Sequence, residues 1–279
     1  MSGADFIDAR AQGRHDWART LGTVALTVAG VAVVLVPTRL LVLPWLQANG
    51  ADMPEPLRSG LLALMAGLIF TGAMAGLFLG VRLLHGRSVR SLVTTAPRLR
   101  WGQTLLGFGL SGLLVGGLGW LLDPGAVKPL AEVDPRILGF SAMAMLVGFS
   151  IQAPAEEVVF RGYLLQVARR VFRSGAAAVV LSVALFTLAH LGYGLESALF
   201  SLTSAIGLTV CVLLLGGLEF AMGAHVANNL VVAFLFQDLS DANAPSAAGV
   251  DWTELAANIV VMGVLVATAA VLARRRVSP

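Results

Sequence analysis

The chain has 279 residues, of which 57% are hydrophobic and only 13% charged, with a mean hydropathy of +0.83. Soluble domains carry about 25% charged residues, so a water-soluble globular fold is excluded. The formal charge of +3 and the pI near 9.7 do not point to nucleic acid, because the arginines sit in segments between apolar runs, where orientation in a bilayer accounts for them.

The first 20 residues are mixed in charge and lack the apolar stretch of a cleaved signal, and are read as a short soluble tail. Eight apolar runs follow, at about 21–46, 58–84, 101–122, 136–153, 175–195, 197–217, 219–237 and 253–273, each near the roughly 20 residues that a bilayer requires. The chain is therefore an all-α, polytopic transmembrane bundle in one membrane domain, 21–273. Its first run is broken by Pro37 and Pro44, so it tilts or ends as an interfacial piece. The fourth is expected to continue past Pro154 to Arg170, since proline suits a first helical turn or a kink.

Loop charges set the expected orientation. Arg87, Arg90, Arg98 and Arg100 follow span two, Arg169, Arg170 and Arg173 follow span four, and Arg274, Arg275 and Arg276 open the basic tail 274–279. Asp123, Glu132 and Asp134 follow span three, and Asp238, Asp241 and Asp251 follow span seven, beside an external loop at 244–249. This alternation places both termini in the cytoplasm. Lys128 is the only lysine, and the lone Cys211 inside an apolar run excludes an intrachain disulfide. The Ala, Gly, Leu, Val and Arg bias points to a bacterial inner membrane.

Ionisable side chains within spans are costly and usually face a cavity or a partner. They gather here in the second half of the chain: Glu156, Glu157 and Arg161, then His190, then His225 with Asn228 and Asn229. Glu157 and Arg161 stand four apart, with the acid on the N-terminal side, and read as a structural ion pair. Glu156 is turned about 100° from its neighbour and is free for another partner. His225 and Asn229 share a helix face, and Phe186 and His190 repeat the spacing. One Glu, two His and one Asn from three helices can activate a water and stabilise an oxyanion. Glu156, His190 and His225 can equally hold a zinc ion.

The bland readings concern single residues. Glu156 alone could satisfy free amides after Pro154, and one intramembrane histidine could be an interhelical donor. Asn228 reads as packing or capping, Glu196 as solvated at a turn, and Glu219 as a carboxylate suited to a helix start. His15 and His85 fall in cytoplasmic segments and call for no special account.

Three stretches in order, Glu156-Glu157-Val158-Val159-Phe160-Arg161, Phe186-Thr187-Leu188-Ala189-His190 and His225-Val226-Ala227-Asn228-Asn229, resemble the CAAX-protease and bacteriocin-processing family of intramembrane proteases. That family includes the type II CAAX prenyl endopeptidases. The resemblance covers about 140–240, with a protease core at about 136–240. It implies an intramembrane endopeptidase in which Glu156 activates water with help from His190. His225 and Asn229 would serve the oxyanion, and Glu157 and Arg161 would support the geometry. The motif fits glutamate and metal chemistry alike, so the cofactor is either none or a divalent metal such as zinc on Glu156, His190 and His225. The implied substrate is a peptide or membrane protein, membrane-embedded or membrane-delivered, lipidated or not, with no nucleic acid involved. The competing readings are a non-catalytic scaffold or immunity protein of the same fold, and a proton-coupled transporter; the latter lacks a pair of matching broken helices.

Overall fold

A computed structural model describes residues 6–8, 13–237, 239 and 250–275. The external loop 244–249, Asp238, Asp241 and Arg276 of the basic tail lie outside the described residues.

Among the described residues the fold is all-helical, with one isolated antiparallel bridge between Thr94 and Gly217. We label the α-helices α1 Trp17–Pro37, α2 Leu43–Asn49, α3 Glu55–Leu83, α4 Trp101–Leu122, α5 Pro135–Glu157, α6 Leu165–Phe172, α7 Gly175–His190, α8 Leu195–Leu215, α9 Glu219–Val231 and α10 Trp252–Arg275. Eight helical paths are long and apolar enough to cross a membrane. Leu105 and Leu113 on α4 remain 70% and 76% exposed, as befits a surface turned to lipid rather than water.

Two paths exceed a simple span. The first runs Trp17–Asp52 over 36 residues, roughly 54 Å at 1.5 Å per residue, against about 30 Å of hydrocarbon. It bridges its prolines through a π-helical stretch, Thr38–Val42, directly after Pro37. The other runs Pro135–Phe172 over 38 residues and joins α5 to α6 through a π-helical stretch, Val158–Leu164. The expected continuation past Pro154 is thus present as one unbroken path. Pro154 cannot donate to the ladder, and the widened turns begin four residues later, where such insertions often mark functional sites.

The helices approach closely because small residues let them. α3 packs along α5, α1 along α3, α4 along α9, and α8 along α10. Gly67 of α3 faces Gly148 of α5 so closely that a Cβ on Gly67 would meet the Gly148 carbonyl oxygen at 2.8 Å. Such backbone proximity replaces the hydrophobic effect as the source of helix association in lipid. The main core gathers Leu77 and Val81 of α3, Leu165 of α6, Leu208, Cys211 and Leu215 of α8, Phe220 and Ala224 of α9, and Leu265 of α10.

One end of the bundle collects the arginine-rich segments. There Arg14 donates its backbone N–H to the His85 carbonyl at 2.7 Å, and Thr95 donates to Gly216 at 3.2 Å. The tail read as soluble is docked at this end: Phe6 is 1% and Ile7 9% exposed, and Asp8 pairs with Arg169 at 3.2 Å. His85, taken to need no account, is also buried. Its Nδ1 bonds to the Arg14 carbonyl at 2.8 Å and its Nε2 to the Tyr163 hydroxyl at 3.2 Å. Both features arise from long-range contacts that no local pattern encodes.

Candidate active site

The site is built where α5 and its π-helical extension meet α9 and α7. Glu157 and Arg161 form the expected ion pair, Nη1 to Oε1 at 3.1 Å, with both side chains fully buried. The other face of Arg161 rests on Phe186, its Cζ 4.1 Å from the ring centroid, so the guanidinium is held by a carboxylate and a π face together. Burying this charge is tolerable only because both partners are in place.

His225 lies between the two glutamates. Its Nδ1 donates to Glu157 Oε1 at 2.9 Å, while its Nε2 stands 3.7 Å from Glu156 Oε2. Glu157 thus orients both a cation and an imidazole, and the far imidazole nitrogen is aimed at Glu156. Glu156 is 6% exposed; its Oε2 is buried and accepts no hydrogen bond, while its Oε1 accepts from Gln152 Nε2. Gln152 in turn accepts from Asn229 Nδ2 at 3.0 Å. Asn228, read as packing or capping, donates to Asn229 Oδ1 at 3.2 Å.

Gln152 is the residue that the sequence did not bring forward. The available signal was a lone polar amide inside an apolar span, four residues before Glu156 and therefore on its face. Phe186, in sequence only the first residue of a motif, has a structural part as well. Its ring contacts Phe160 edge-on at 5.1 Å, lies 4.5 Å from the His190 ring and 6.2 Å from that of His225. It forms the wall that separates the two histidines.

His190 closes the last turn of α7, half-buried, with Nδ1 donating to the Phe186 carbonyl at 2.8 Å. This bond fixes the ring and leaves Nε2 as an acceptor. His190 makes no hydrogen bond to Glu156 or His225 among the described residues. Nor do three His, Cys, Asp or Glu side chains there stand together as a metal-holding group. The Glu156, His190 and His225 set therefore does not assemble as a ligand shell in this structure. Glu219 is fully engaged elsewhere: Arg100 Nε donates to its Oε1 at 2.9 Å and Nη2 to its Oε2 at 2.5 Å. That bidentate pair locks the start of α9 to the start of α4.

Local sequence explains this placement. Gly162, within the Phe160-Arg161-Gly162 stretch, lies so near the loop before α4 that a Cβ would meet the Leu92 carbonyl oxygen at 2.6 Å. Gly223 of α9 is similarly pressed against the Thr104 backbone of α4. Gly162 and Gly223 thus set how closely the π-helical stretch approaches the loop before α4 and how closely α9 approaches α4.

Comparison with known proteins places the same segment in context. Residues 138–231 match the family model for type II CAAX prenyl endopeptidase Rce1-like proteins. The uncharacterized protein YyaK of Bacillus subtilis (strain 168) is 25% identical over 180 residues, which cover 61% of this chain and 60% of that protein. The likeness therefore spans less than two thirds of the relative's length. No solved structure matches the chain. Glu156, Glu157, Arg161, His190, His225 and Asn229 all fall inside the matched segment. The similarity to the Rce1-like type II CAAX prenyl endopeptidases is thus carried by this core segment, residues 138–231.

Proposed function

We propose that the protein is an intramembrane endopeptidase of the plasma membrane of a bacterium, with its arginine-rich end and both termini in the cytoplasm. It hydrolyses a peptide bond of a membrane-embedded or membrane-delivered substrate. The observation that carries this reading is Glu156 Oε2, a buried carboxylate oxygen with no hydrogen bond, facing an imidazole nitrogen at 3.7 Å. That separation is too long for a direct bond and leaves both atoms directed at one small volume.

Glu156 takes a proton from a water as the water oxygen attacks the carbonyl carbon. The tetrahedral oxyanion is met by His225 and by the second N–H of Asn229, whose first is spent on Gln152. The proton held by Glu156 then passes to the amide nitrogen, the C–N bond breaks, and Glu156 returns to the carboxylate. His190, with its Nε2 free to accept, helps to orient the water. Glu157 and Arg161 hold His225 in place and do not touch the substrate.

The test is cleavage of a panel of membrane-delivered peptides by detergent-purified protein, with Glu156→Ala and a chelator arm run in parallel. Loss of cleavage in the variant with insertion intact supports the assignment. Cleavage retained by Glu156→Ala sinks it, and a Glu156→Ala protein that still complements a deletion in cells would favour a scaffold.

A further inference from the structure

A second feature lies at the end of the bundle where the N-terminal segment docks. A cavity of about 270 Å³, several times the roughly 30 Å³ of one water, is walled by Trp17, Arg87, Tyr163, Gln166, Arg170 and Arg173 among others. None of the glutamates or histidines of the catalytic cluster lines it. We propose that this cavity binds the phosphate of an anionic phospholipid headgroup.

Arg87 carries the argument. It is only 6% exposed, and its Nη2 donates to two neutral groups, Ser91 Oγ at 3.0 Å and Gln166 Oε1 at 2.7 Å. Its Nε is buried with no partner. Arg161 and Arg100 meet carboxylates, Glu157 and Glu219; Arg87 meets none among the described residues. Desolvation pulls its pKa below the ordinary arginine value, yet a guanidinium keeps its charge in any protein. A buried cation of this kind calls for an anion from outside the chain.

The remaining walls describe that anion. Arg170 and Arg173 are exposed and add positive charge beside Arg87. Asp16, the acidic residue of the lining, is spent on Arg19, whose backbone N–H it accepts at 2.9 Å. The Tyr163 hydroxyl and the Gln166 amide also line the cavity but are already bonded, Tyr163 to His85 at 3.2 Å and Gln166 Nε2 to the Phe6 and Ser91 carbonyls at 3.1 Å each, which leaves the arginines as its anion-binding groups. The rim is apolar and open: Trp17 is 63% and Val171 43% exposed. A soluble phosphate has no use for such a rim, whereas a lipid lays its acyl chains along it while its phosphate enters. A tryptophan beside arginines at a helix end is also where headgroups lie.

Native mass spectrometry of the full chain, released from nanodiscs of phosphatidylglycerol or of phosphatidylcholine, tests this. The wild type should retain phosphatidylglycerol at least tenfold over phosphatidylcholine, and Arg87→Gln should abolish the preference. Because Arg87→Gln also strips partners from Ser91 and Gln166 and can unfold the region, Arg170→Gln/Arg173→Gln is measured beside it. That variant alters two exposed side chains and should lower retention at least threefold with an unchanged melting temperature. Equal retention of the two lipids by wild type, or full retention in both variants when folded, overturns the proposal. Glycerol 3-phosphate stabilising the protein as strongly as phosphatidylglycerol would assign the cavity to free phosphate esters and overturn the lipid assignment.

Discussion

Glu157 is the residue on which the site turns, because one of its oxygens serves both Arg161 and His225. Arg161→Ala leaves a buried carboxylate without its cation and should cost about 3–5 kcal/mol of stability, read by thermal or denaturant unfolding in detergent. A loss below about 1 kcal/mol would show that the pair is not the strut described here. Gln152→Met keeps the volume and removes both amide bonds, so Glu156 and Asn229 lose their link. It should fold normally and lower kcat by on the order of 10²-fold with little change in KM, as misplaced groups do; an unchanged kcat would leave Gln152 as packing. The pairing of Glu157 with Arg161 was legible from their spacing alone. The bond from His225 to Glu157 was not, since nothing local says which of two adjacent glutamates a residue 68 positions away will meet.

The element that carries the site is the path from α5 through its widened turns to α6. Hydropathy located this span and the other seven, because each apolar run is as long as a bilayer demands. It could not show the π-helical stretch at Val158–Leu164, which depends on how α5 is gripped by its neighbours. Gly162 marks one of these grips. Gly162→Leu forces a side chain onto the Leu92 carbonyl and should cost about 1–3 kcal/mol while lowering activity. Gly117→Ala, where a Cβ meets nothing within 4 Å, serves as the control and should be neutral or slightly stabilising. Equal effects of the two changes in unfolding and cleavage assays would contradict the packing described.

At the scale of the whole molecule, His85 ties the segment before α1, the loop after α3 and the π-helical stretch Val158–Leu164 together through Arg14 and Tyr163. Burial lowers the pKa of His85 below its ordinary 6.5, so the unfolded chain binds a proton there that the folded chain refuses. Stability from this source is fully present above pH 6.5 and is lost as pH falls below it. The melting temperature should therefore drop between pH 7.5 and 5.5, and His85→Gln should flatten that drop; an equal drop in the variant would place the pH sensitivity elsewhere. Composition showed a membrane bundle at once, but Phe6 and Ile7, two apolar residues in a polar stretch, gave no periodicity from which docking could be read. The motifs likewise brought forward Glu156, His190, His225 and Asn229 but not Gln152, the amide that joins Glu156 to Asn229. The central claim is that this bundle exists to hold Glu156 as a base beside His225. It is tested most directly by the cleavage rate of one membrane-delivered peptide with wild type and Glu156→Gln, both shown to be folded. General-base catalysis contributes roughly 10²–10⁴-fold, so the variant should be slower by at least that lower bound; cleavage within a few-fold of wild type would contradict the claim.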